Sequence, residues 1–181
     1  MKAIPTKYGG VDFRSRLEAD WAAHLDRLSI DWQYEVEGYQ LSDGSWYLPD
    51  FYLPDIQVWL EVKGAHNQRV SKVEQLAADL WAESPVDLPT LYGAPMVLIA
   101  QPPQRVAPGV IDEWRAYVHG VRGPGKGYSV TIDQCAHCNK VVFVALWGKD
   151  CRACGKYNDF LMEGAWTELA QLEFTRAPRT V

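Results

Sequence analysis

The sequence predicts an α/β fold with a small module at its C-terminal end. Three observations lead to this prediction: an amphipathic helical pattern near the N-terminus, two strand-like runs on either side of a Pro-Asp turn, and two Cys-x2-Cys pairs. The 181 residues are enough for one sizeable core and one small module. We therefore expect a core over residues 1–120 and a second unit over residues 121–181.

The first element is a helix predicted from Asp12 to Leu28, with Asp12 as its N-cap. Its apolar positions, which recur at helical spacing, are Leu17, Trp21, Leu25 and Leu28. Glu18 lies beside this stripe, where an acid is rare without a partner. It therefore pairs with Arg14, reaches solvent, or belongs to a functional site. His24 is expected at the surface or at the boundary of the core.

A strand over Trp32–Val36 and a β-hairpin between residues 46 and 64 are predicted next. With the turn at Asp55 and Ile56, the predicted register pairs Leu53 with Val58, Phe51 with Leu60 and Asp50 with Glu61. Lys63 shares a face with Glu61 because side chains alternate along a strand. Two opposed acids repel each other, and a divalent cation between them would reverse the sign of that interaction. Asp55, at the tip, is a minor alternative ligand.

The chain after the hairpin contains further helical and strand-like patterns. The predicted elements are a helix over Val70–Glu83 capped by Asn67 or Ser71, a buried strand over Met96–Ala100, a helix over Val110–His119, a glycine-rich linker over Gly120–Gly127 and a helix over Ala165–Phe174. The order up to residue 101 is therefore helix, three strands, helix and strand.

The pair Pro49-Asp50 followed by Glu61-Val62-Lys63, with Glu18 on the preceding helix, resembles the active-site motif of the PD-(D/E)XK nuclease superfamily. The resemblance spans residues 8–101 and includes the order of the elements. It implies a restriction-endonuclease-like α-β-β-β-α-β core with a mixed central sheet. The catalytic residues that it implies are Glu18, Asp50, Glu61 and Lys63.

The same resemblance implies a site for Mg²⁺ or Mn²⁺. Its ligands would be Asp50, Glu61 and the Val62 carbonyl, with Glu18 contributing directly or through water. Lys63 would orient the attacking water or neutralise negative charge. The nearby polar residues His66, Gln68 and Gln75 are candidates for substrate or metal contacts, but a structural role is the one expected for each.

The resemblance therefore implies a metal-dependent endonuclease that hydrolyses phosphodiester bonds in DNA. It is closest to the phage-type Holliday-junction-resolving and transposon-end cleaving branches, so duplex or branched DNA is the expected partner; the sequence leaves the assembly open between a monomer and a homodimer. RNA stays open as a substrate. Because a fold alone does not determine function, the alternative is a non-catalytic adaptor that binds nucleic acid or docks a protein.

All four cysteines of the chain fall in one pattern, Cys-x2-Cys-x12-Cys-x2-Cys. The ligands that this pattern predicts are Cys135, Cys138, Cys151 and Cys154. Two such pairs bring four thiolates around one metal ion, and the site would be structural because no coordination position stays open. The spacing favours a zinc ribbon, with iron as the competing metal. His137 is not expected to be a ligand.

The net charge of −5 argues mildly against nucleic-acid binding. Residues 121–181, however, contain eight basic and six acidic side chains, which makes this segment the basic part of the chain. The residues predicted to contact phosphates are Arg122, Lys126, Lys140, Lys149 and Arg152. The alternative is an ordinary linker followed by a folding module.

The sequence has no run of 18 apolar residues and no signal peptide, so we expect neither a membrane span nor export. Cysteines at metal-ligand spacing and the absence of an export signal indicate a reducing compartment. The expected location is the cytoplasm of a bacterial or phage-infected cell.

Overall fold

The computed structural model describes residues 3–64, 69–84, 94–101, 118–145, 150–157 and 174–178. The helices in these ranges are α1 (Arg16–Arg27) and α2 (Ser71–Glu83). The strands are β1 (Thr6–Tyr8), β2 (Val11–Phe13), β3 (Gln33–Tyr34), β4 (Tyr39–Gln40), β5 (Trp46–Tyr47), β6 (Phe51–Leu53), β7 (Val58–Val62), β8 (Met96–Ala100), β9 (Val118–Val121), β10 (Gly127–Gln134) and β11 (Val141–Ala145). Within these ranges, neither helix is long and apolar enough to cross a membrane.

A seven-stranded mixed sheet forms the centre of the molecule. Its strand order is β11-β10-β9-β8-β7-β6-β3, and the two short hairpins β1–β2 and β4–β5 lie outside it. Strands β7 and β8 are parallel and are joined through α2, whereas the other neighbours are antiparallel. The predicted order of helix, three strands, helix and strand is present as α1, β3, β6, β7, α2 and β8, with β4–β5 inserted after β3.

The β6–β7 hairpin has the register that the sequence predicts. Phe51 pairs with Leu60, and Leu53 pairs with Val58. The strand pairing ends at Phe51 and Leu60, and beyond it the Asp50 amide donates a hydrogen bond to Glu61 Oε2 at 3.3 Å across the hairpin. The two acids are therefore neighbours across the hairpin.

Each face of the sheet is covered by an apolar cluster. The cluster on the α1 face includes Trp21, Leu25, Phe51, Leu60 and Leu98, and the one on the α2 face includes Trp59, Val73, Ala77, Val97 and Ile99. Because side chains alternate along β7, Glu61 and Lys63 lie on the same face as Trp59. The acidic pair therefore lies on the α2 face at the end of the hairpin.

Helix α1 begins later than predicted. Ser15 is the N-cap, and its Oγ accepts a hydrogen bond from the Glu18 amide at 3.2 Å. The prediction of Asp12 as the cap is wrong, because residues 11–13 form β2 and pair with β1. A Ser-x-x-Glu sequence at residues 15–18 is a capping pattern that identifies this start.

Helix α2 covers the predicted range, but its cap differs. Val70 occupies the N-cap position without a side-chain hydrogen bond, and Ser71 is the first helical residue. Asn67, the other predicted cap, lies outside the described residues, as do His66 and Gln68. Gln75 is structural, as expected, since its amide donates to Ser42 Oγ at 2.7 Å and to Asp79 Oδ1 at 2.9 Å.

The glycine-rich segment predicted as a linker is part of the sheet. Strand β9 pairs with β8 on one side and with β10 on the other, and residues 122–126 form the turn between β9 and β10. His119 therefore lies in a strand, and the predicted helix end there is wrong; residues 110–117 lie outside the described residues. The boundary expected between residues 120 and 121 falls inside β9, so the linker interpretation is wrong. The division into two functional units stays a prediction.

The C-terminal residues 174–178 pack against α1. The Ala177 amide donates to Asp20 Oδ1 at 3.0 Å, and the Thr175 amide donates to His24 Nδ1 at 3.1 Å. Phe174 lies in this irregular segment, with its ring centroid 4.7 Å from that of His24; the rest of the helix predicted over 165–174 lies outside the described residues.

His24 is fully buried, so its predicted surface position is wrong. Burial, with a smaller effect of the Arg27 charge, lowers the pKa of its side chain to about 4. A neutral ring is what this position needs, because Nδ1 accepts the Thr175 hydrogen bond.

Asp20→Ala should lower the free energy of unfolding by about 1–3 kcal/mol, because a buried amide loses its acceptor. The Asp20 carboxylate is 2% exposed, accepts from Ala177, and pairs with Arg16 at 3.0 Å and with Arg176 at 3.5 Å. Urea denaturation measures the effect. Asp12→Ala is the control, since this carboxylate is 82% exposed and lies 3.8 Å from the Lys7 ammonium. Equal effects of the two variants would contradict the packing of the C-terminal segment on α1.

Candidate functional site

A pair of buried carboxylates lies at the end of the β6–β7 hairpin. Asp50 is 5% and Glu61 is 6% exposed. Asp50 Oδ2 accepts a hydrogen bond from the Val62 amide at 2.8 Å, and Lys63 donates to Glu61 Oε1. The Lys63 amide also bonds the Ala100 carbonyl at 2.7 Å, which continues the parallel pairing past the end of β7. The structure thus brings together the three hairpin residues that the sequence singles out.

The electrostatics of the pair are unfavourable without a counter-charge. Burial, the charge of Glu61 and, to a smaller extent, the charge of Glu18 together raise the pKa of Asp50 to about 8. The Val62 amide and the Lys63 ammonium act in the opposite direction, but do not cancel the effect of burial. At neutral pH this arrangement favours either a proton or an added cation.

Glu18 lies near this pair but belongs to another hydrogen-bond group. It is buried at the start of α1, with Oε1 accepting from Ser15 Oγ at 2.6 Å and Oε2 accepting from the Tyr34 hydroxyl at 2.5 Å. Burial and the bond to Glu18 raise the pKa of Tyr34. The alternative pairing of Glu18 with Arg14 is therefore not the one formed.

Arg14 joins the two groups and was not singled out by the sequence as a site residue. Its guanidinium lies 3.3 Å from Asp50 Oδ1 and forms an ion pair with Glu35. Its amide donates to the Tyr34 hydroxyl at 3.3 Å. The Glu35 amide in turn donates to the Asp50 carbonyl at 2.9 Å. The side chain of Arg14 is 59% exposed, so it reaches the acidic pair from the solvent side.

Tyr47 is a second site residue that the sequence did not indicate. Burial and the nearby charge of Glu61 raise the pKa of its hydroxyl. Tyr47 comes from the β4–β5 hairpin, an element that short-range strand patterns do not predict because each strand has only two residues.

Asp50 and Glu61 fit a site for a hard divalent cation, whereas the third predicted acid, Glu18, does not fit as a direct ligand. Two buried carboxylates that repel each other are what such a cation binds, and its charge would remove the repulsion. Within the described ranges, however, Glu18 does not join Asp50 and Glu61 in a group close enough to hold one ion. Glu18 therefore fits an indirect contribution rather than direct coordination. Asp55 lies at the hairpin tip, as expected, and is ion-paired with Lys140.

The four cysteines form a second site, and they are close enough to bind a metal ion. Their sulfur atoms all lie within 4.8 Å of one another, and all four thiols are free. Among the described residues, this is the one group of three or more His, Cys, Asp and Glu side chains that clusters in this way. His137 lies outside the group, as expected, and its Nε2–H donates to the Tyr157 carbonyl at 3.1 Å.

The two Cys-x2-Cys loops repeat one backbone geometry. In the first loop the Cys135 amide donates to the Lys140 carbonyl, and in the second the Cys151 amide donates to the Lys156 carbonyl, both at 2.9 Å. The residues after the second cysteines, Asn139 and Gly155, have φ angles of 61° and 71°. Although burial opposes it, hydrogen bonds from the Cys138 and His137 amides lower the pKa of Cys135 to about 6. Such loops present thiolates to a metal.

The basic residues predicted to bind phosphates do not share one environment. Arg152 is buried, and its guanidinium donates to backbone carbonyls, so the prediction of an exposed phosphate-binding side chain is wrong there. Arg122 stacks 4.3 Å from the centroid of the Trp81 ring. Lys140 is exposed but paired with Asp55, and Lys126 is exposed in the β9–β10 turn. Lys149 lies outside the described residues.

Comparison of the chain with protein-family models, with curated proteins and with solved structures found no match. Any functional proposal therefore rests on the two sites themselves.

The raised pKa of Asp50 predicts a pH dependence of stability in buffer without divalent cations. The unfolded chain releases this proton near pH 3.8, whereas the folded chain keeps it up to about pH 8. The free energy of unfolding should therefore fall as the pH rises through this window, and Asp50→Asn should remove part of that fall. At pH 8 we expect Asp50→Asn to be the more stable protein by about 1–3 kcal/mol in urea denaturation.

Added Mg²⁺ should raise the melting temperature of the wild type at pH 8 but not that of Asp50→Asn. Asp55→Asn is the matched control, because it changes the other Pro-Asp of the same hairpin and should keep the Mg²⁺ response. A Mg²⁺ response lost in Asp55→Asn and kept in Asp50→Asn would transfer the cation site to the hairpin tip.

The cysteine cluster predicts one tightly bound metal ion per chain. Elemental analysis of the purified protein should give one equivalent of zinc or iron, and a visible absorption band would distinguish iron. Cys138→Ser should lower the metal content sharply, whereas His137→Ala should leave it unchanged. Intact free thiols in a folded protein without metal would contradict the assignment.

Proposed function

We propose that this protein is a Mg²⁺-dependent DNA endonuclease of the PD-(D/E)XK type, with a restriction-endonuclease-like core and a structural zinc site. The observation that most favours it is the convergence of Asp50, Glu61 and Lys63 at one end of a buried hairpin. The order of α1, β3, β6, β7, α2 and β8 around a mixed sheet supports the fold assignment.

The chemistry of the acidic pair also supports the proposal. Keeping two carboxylates buried side by side raises the pKa of Asp50 to about 8, which disfavours the charged pair in the absence of a cation. Perturbed acids of this kind occur more often at functional sites than elsewhere. Asp50 and Glu61 would hold Mg²⁺ or Mn²⁺, and the Val62 carbonyl completes the proposed ligand set. The bound ion would lower the pKa of water and neutralise charge on the phosphate.

The chain's own side chains have separate roles in this proposal. The Lys63 ammonium, held on Glu61, is placed to balance negative charge as the phosphate is attacked. Arg14 is exposed beside Asp50 and can bind a second phosphate oxygen. Glu18 would act indirectly, because Ser15 and Tyr34 occupy its oxygens, and it is connected to Asp50 only through Tyr34 and Arg14 among the described residues.

DNA is the proposed substrate, with a branched duplex first. The exposed cations in the described ranges are dispersed, and the net charge is −5, so a weak general attraction for duplex DNA is expected. A preference for branched over linear DNA would then come from how well the shape of the substrate fits the site. Zinc is the proposed metal of the cysteine cluster because four thiolates in paired loops form a closed structural site.

A cleavage assay tests the proposal directly. With Mg²⁺ or Mn²⁺, the wild type should cleave at least one of linear duplex DNA, single-stranded DNA and four-way-junction DNA, and cleavage of RNA alone would overturn DNA as the substrate. Lys63→Ala should lower the rate by about 10²–10³, because a group that stabilises charge in the transition state is lost. Glu61→Ala should lower it at least as much. Lys7→Ala is the matched control, since this lysine lies in an exposed ion pair on β1.

The outcomes separate the two hypotheses. Activity that survives in both Lys63→Ala and Glu61→Ala would show that the acidic pair is not the catalytic centre. A wild type that binds DNA but cleaves none of the substrates with either metal would favour the non-catalytic adaptor instead.

A further inference from the structure

Arg152 lies inside the second cysteine loop, between Cys151 and Cys154, and it points into the protein. It is 8% exposed. Its Nε donates to the Ile56 carbonyl at 2.9 Å, and its Nη2 donates to the Gln57 carbonyl at 2.9 Å and to the Ala94 carbonyl at 2.8 Å. A planar guanidinium with fixed donors is suited to holding several carbonyls in one arrangement.

The three carbonyls belong to the candidate catalytic hairpin and to its parallel neighbour. Ile56 and Gln57 form the turn between β6 and β7, and Gln57 has a φ of 53°, a conformation that a non-glycine residue adopts only with support. Ala94 lies two residues before β8. One side chain therefore connects the cysteine loop to the start of both strands that lead toward the acidic pair.

The first cysteine loop contacts the same turn independently. Lys140, two residues after Cys138, forms an ion pair with Asp55 at the hairpin tip. Both cysteine loops therefore contact the turn at residues 55–57, the first through Lys140 and the second through Arg152. A metal ion would fix the backbone of both loops, because it bonds all four sulfur atoms at once.

We propose that the metal held by the four cysteines positions the candidate catalytic hairpin, with Arg152 as the positioning residue that connects the two. Without the metal, the second loop loses its anchor, and the guanidinium no longer holds the turn and the start of β8 in register. The acidic pair at the far end of the hairpin then loses part of its rigid support. This inference rests on the cysteine site and on the hairpin contacts, and it does not require the protein to be a nuclease.

Hydrogen exchange of the backbone amides tests this proposal on the full chain. Removal of the metal with a chelator should speed exchange at residues 56–60 by roughly tenfold or more, because hydrogen bonds to a charged donor are lost. Arg152→Gln in the metal-loaded protein should speed exchange at the same residues. Metal removal from Arg152→Gln should have a clearly smaller effect at the hairpin than metal removal from the wild type, since the Arg152 connection is already broken and the exposed Lys140–Asp55 ion pair remains.

Two further variants keep the test decisive. Arg152→Lys keeps the charge but loses the fork of donors, so it should give an intermediate effect and decides the outcome if Arg152→Gln does not fold. Lys7→Gln is the control and should exchange like the wild type. Opening confined to residues 135–157 after metal removal, with the hairpin unchanged, would overturn the proposal. So would effects of the metal and of Arg152→Gln that simply add at the hairpin.

Discussion

The opposition of Asp50 and Glu61 is the constraint on which the rest of the site depends. The register of the β6–β7 hairpin forces these two acids together, and that register is set by the apolar pairs Phe51–Leu60 and Leu53–Val58 in the core. A shift of one residue would expose those apolar side chains, so the repulsion cannot be relieved by slipping the strands. The neighbouring donors partly neutralise this negative charge: the Val62 amide and Arg14 contact Asp50, and Lys63 contacts Glu61.

The hairpin is held at both ends by different chemistry. At its open end lie carboxylates and their cationic partners, while at its turn lie a guanidinium and the cysteine loops. The hairpin and the strands next to the first cysteine loop belong to one sheet, in which β8, β9, β10 and β11 are successive neighbours of β7. The residues that the sequence assigns to a second unit therefore continue the same sheet, and Cys135 and Cys151 are buried in the same apolar cluster as Phe51.

The elements that the sequence predicted correctly are those set by residues close together in the chain. The Pro-Asp turn and the alternation of residues 51–62 predicted the hairpin register, and helical spacing predicted α2. The contributions of Arg14 and Arg152 could not be predicted in this way, because Asp50 lies 36 residues from Arg14 and the carbonyls that Arg152 binds lie 58–96 residues from it. The position of His24 was missed for the same reason, since residues 174–175 cover it. The Ser15 cap is indicated by the Ser-x-x-Glu pattern at residues 15–18, whereas Asp12, the predicted cap, belongs to β2.

The separation of these contacts along the chain also orders the events of folding. The hairpin and α1 lie within the first third of the chain, yet Arg152 reaches Ile56 across 96 residues and Ala177 reaches Asp20 across 157. A chain emerging from the ribosome therefore contains the turn of the hairpin long before Arg152, and Asp20 long before Ala177. Contacts between such distant residues close late and slow folding. The turn at residues 56–57 thus gains its hydrogen bonds from Arg152 only after residue 152 has been synthesised, whereas the partners of the acidic pair, Arg14, Val62 and Lys63, are present by residue 63.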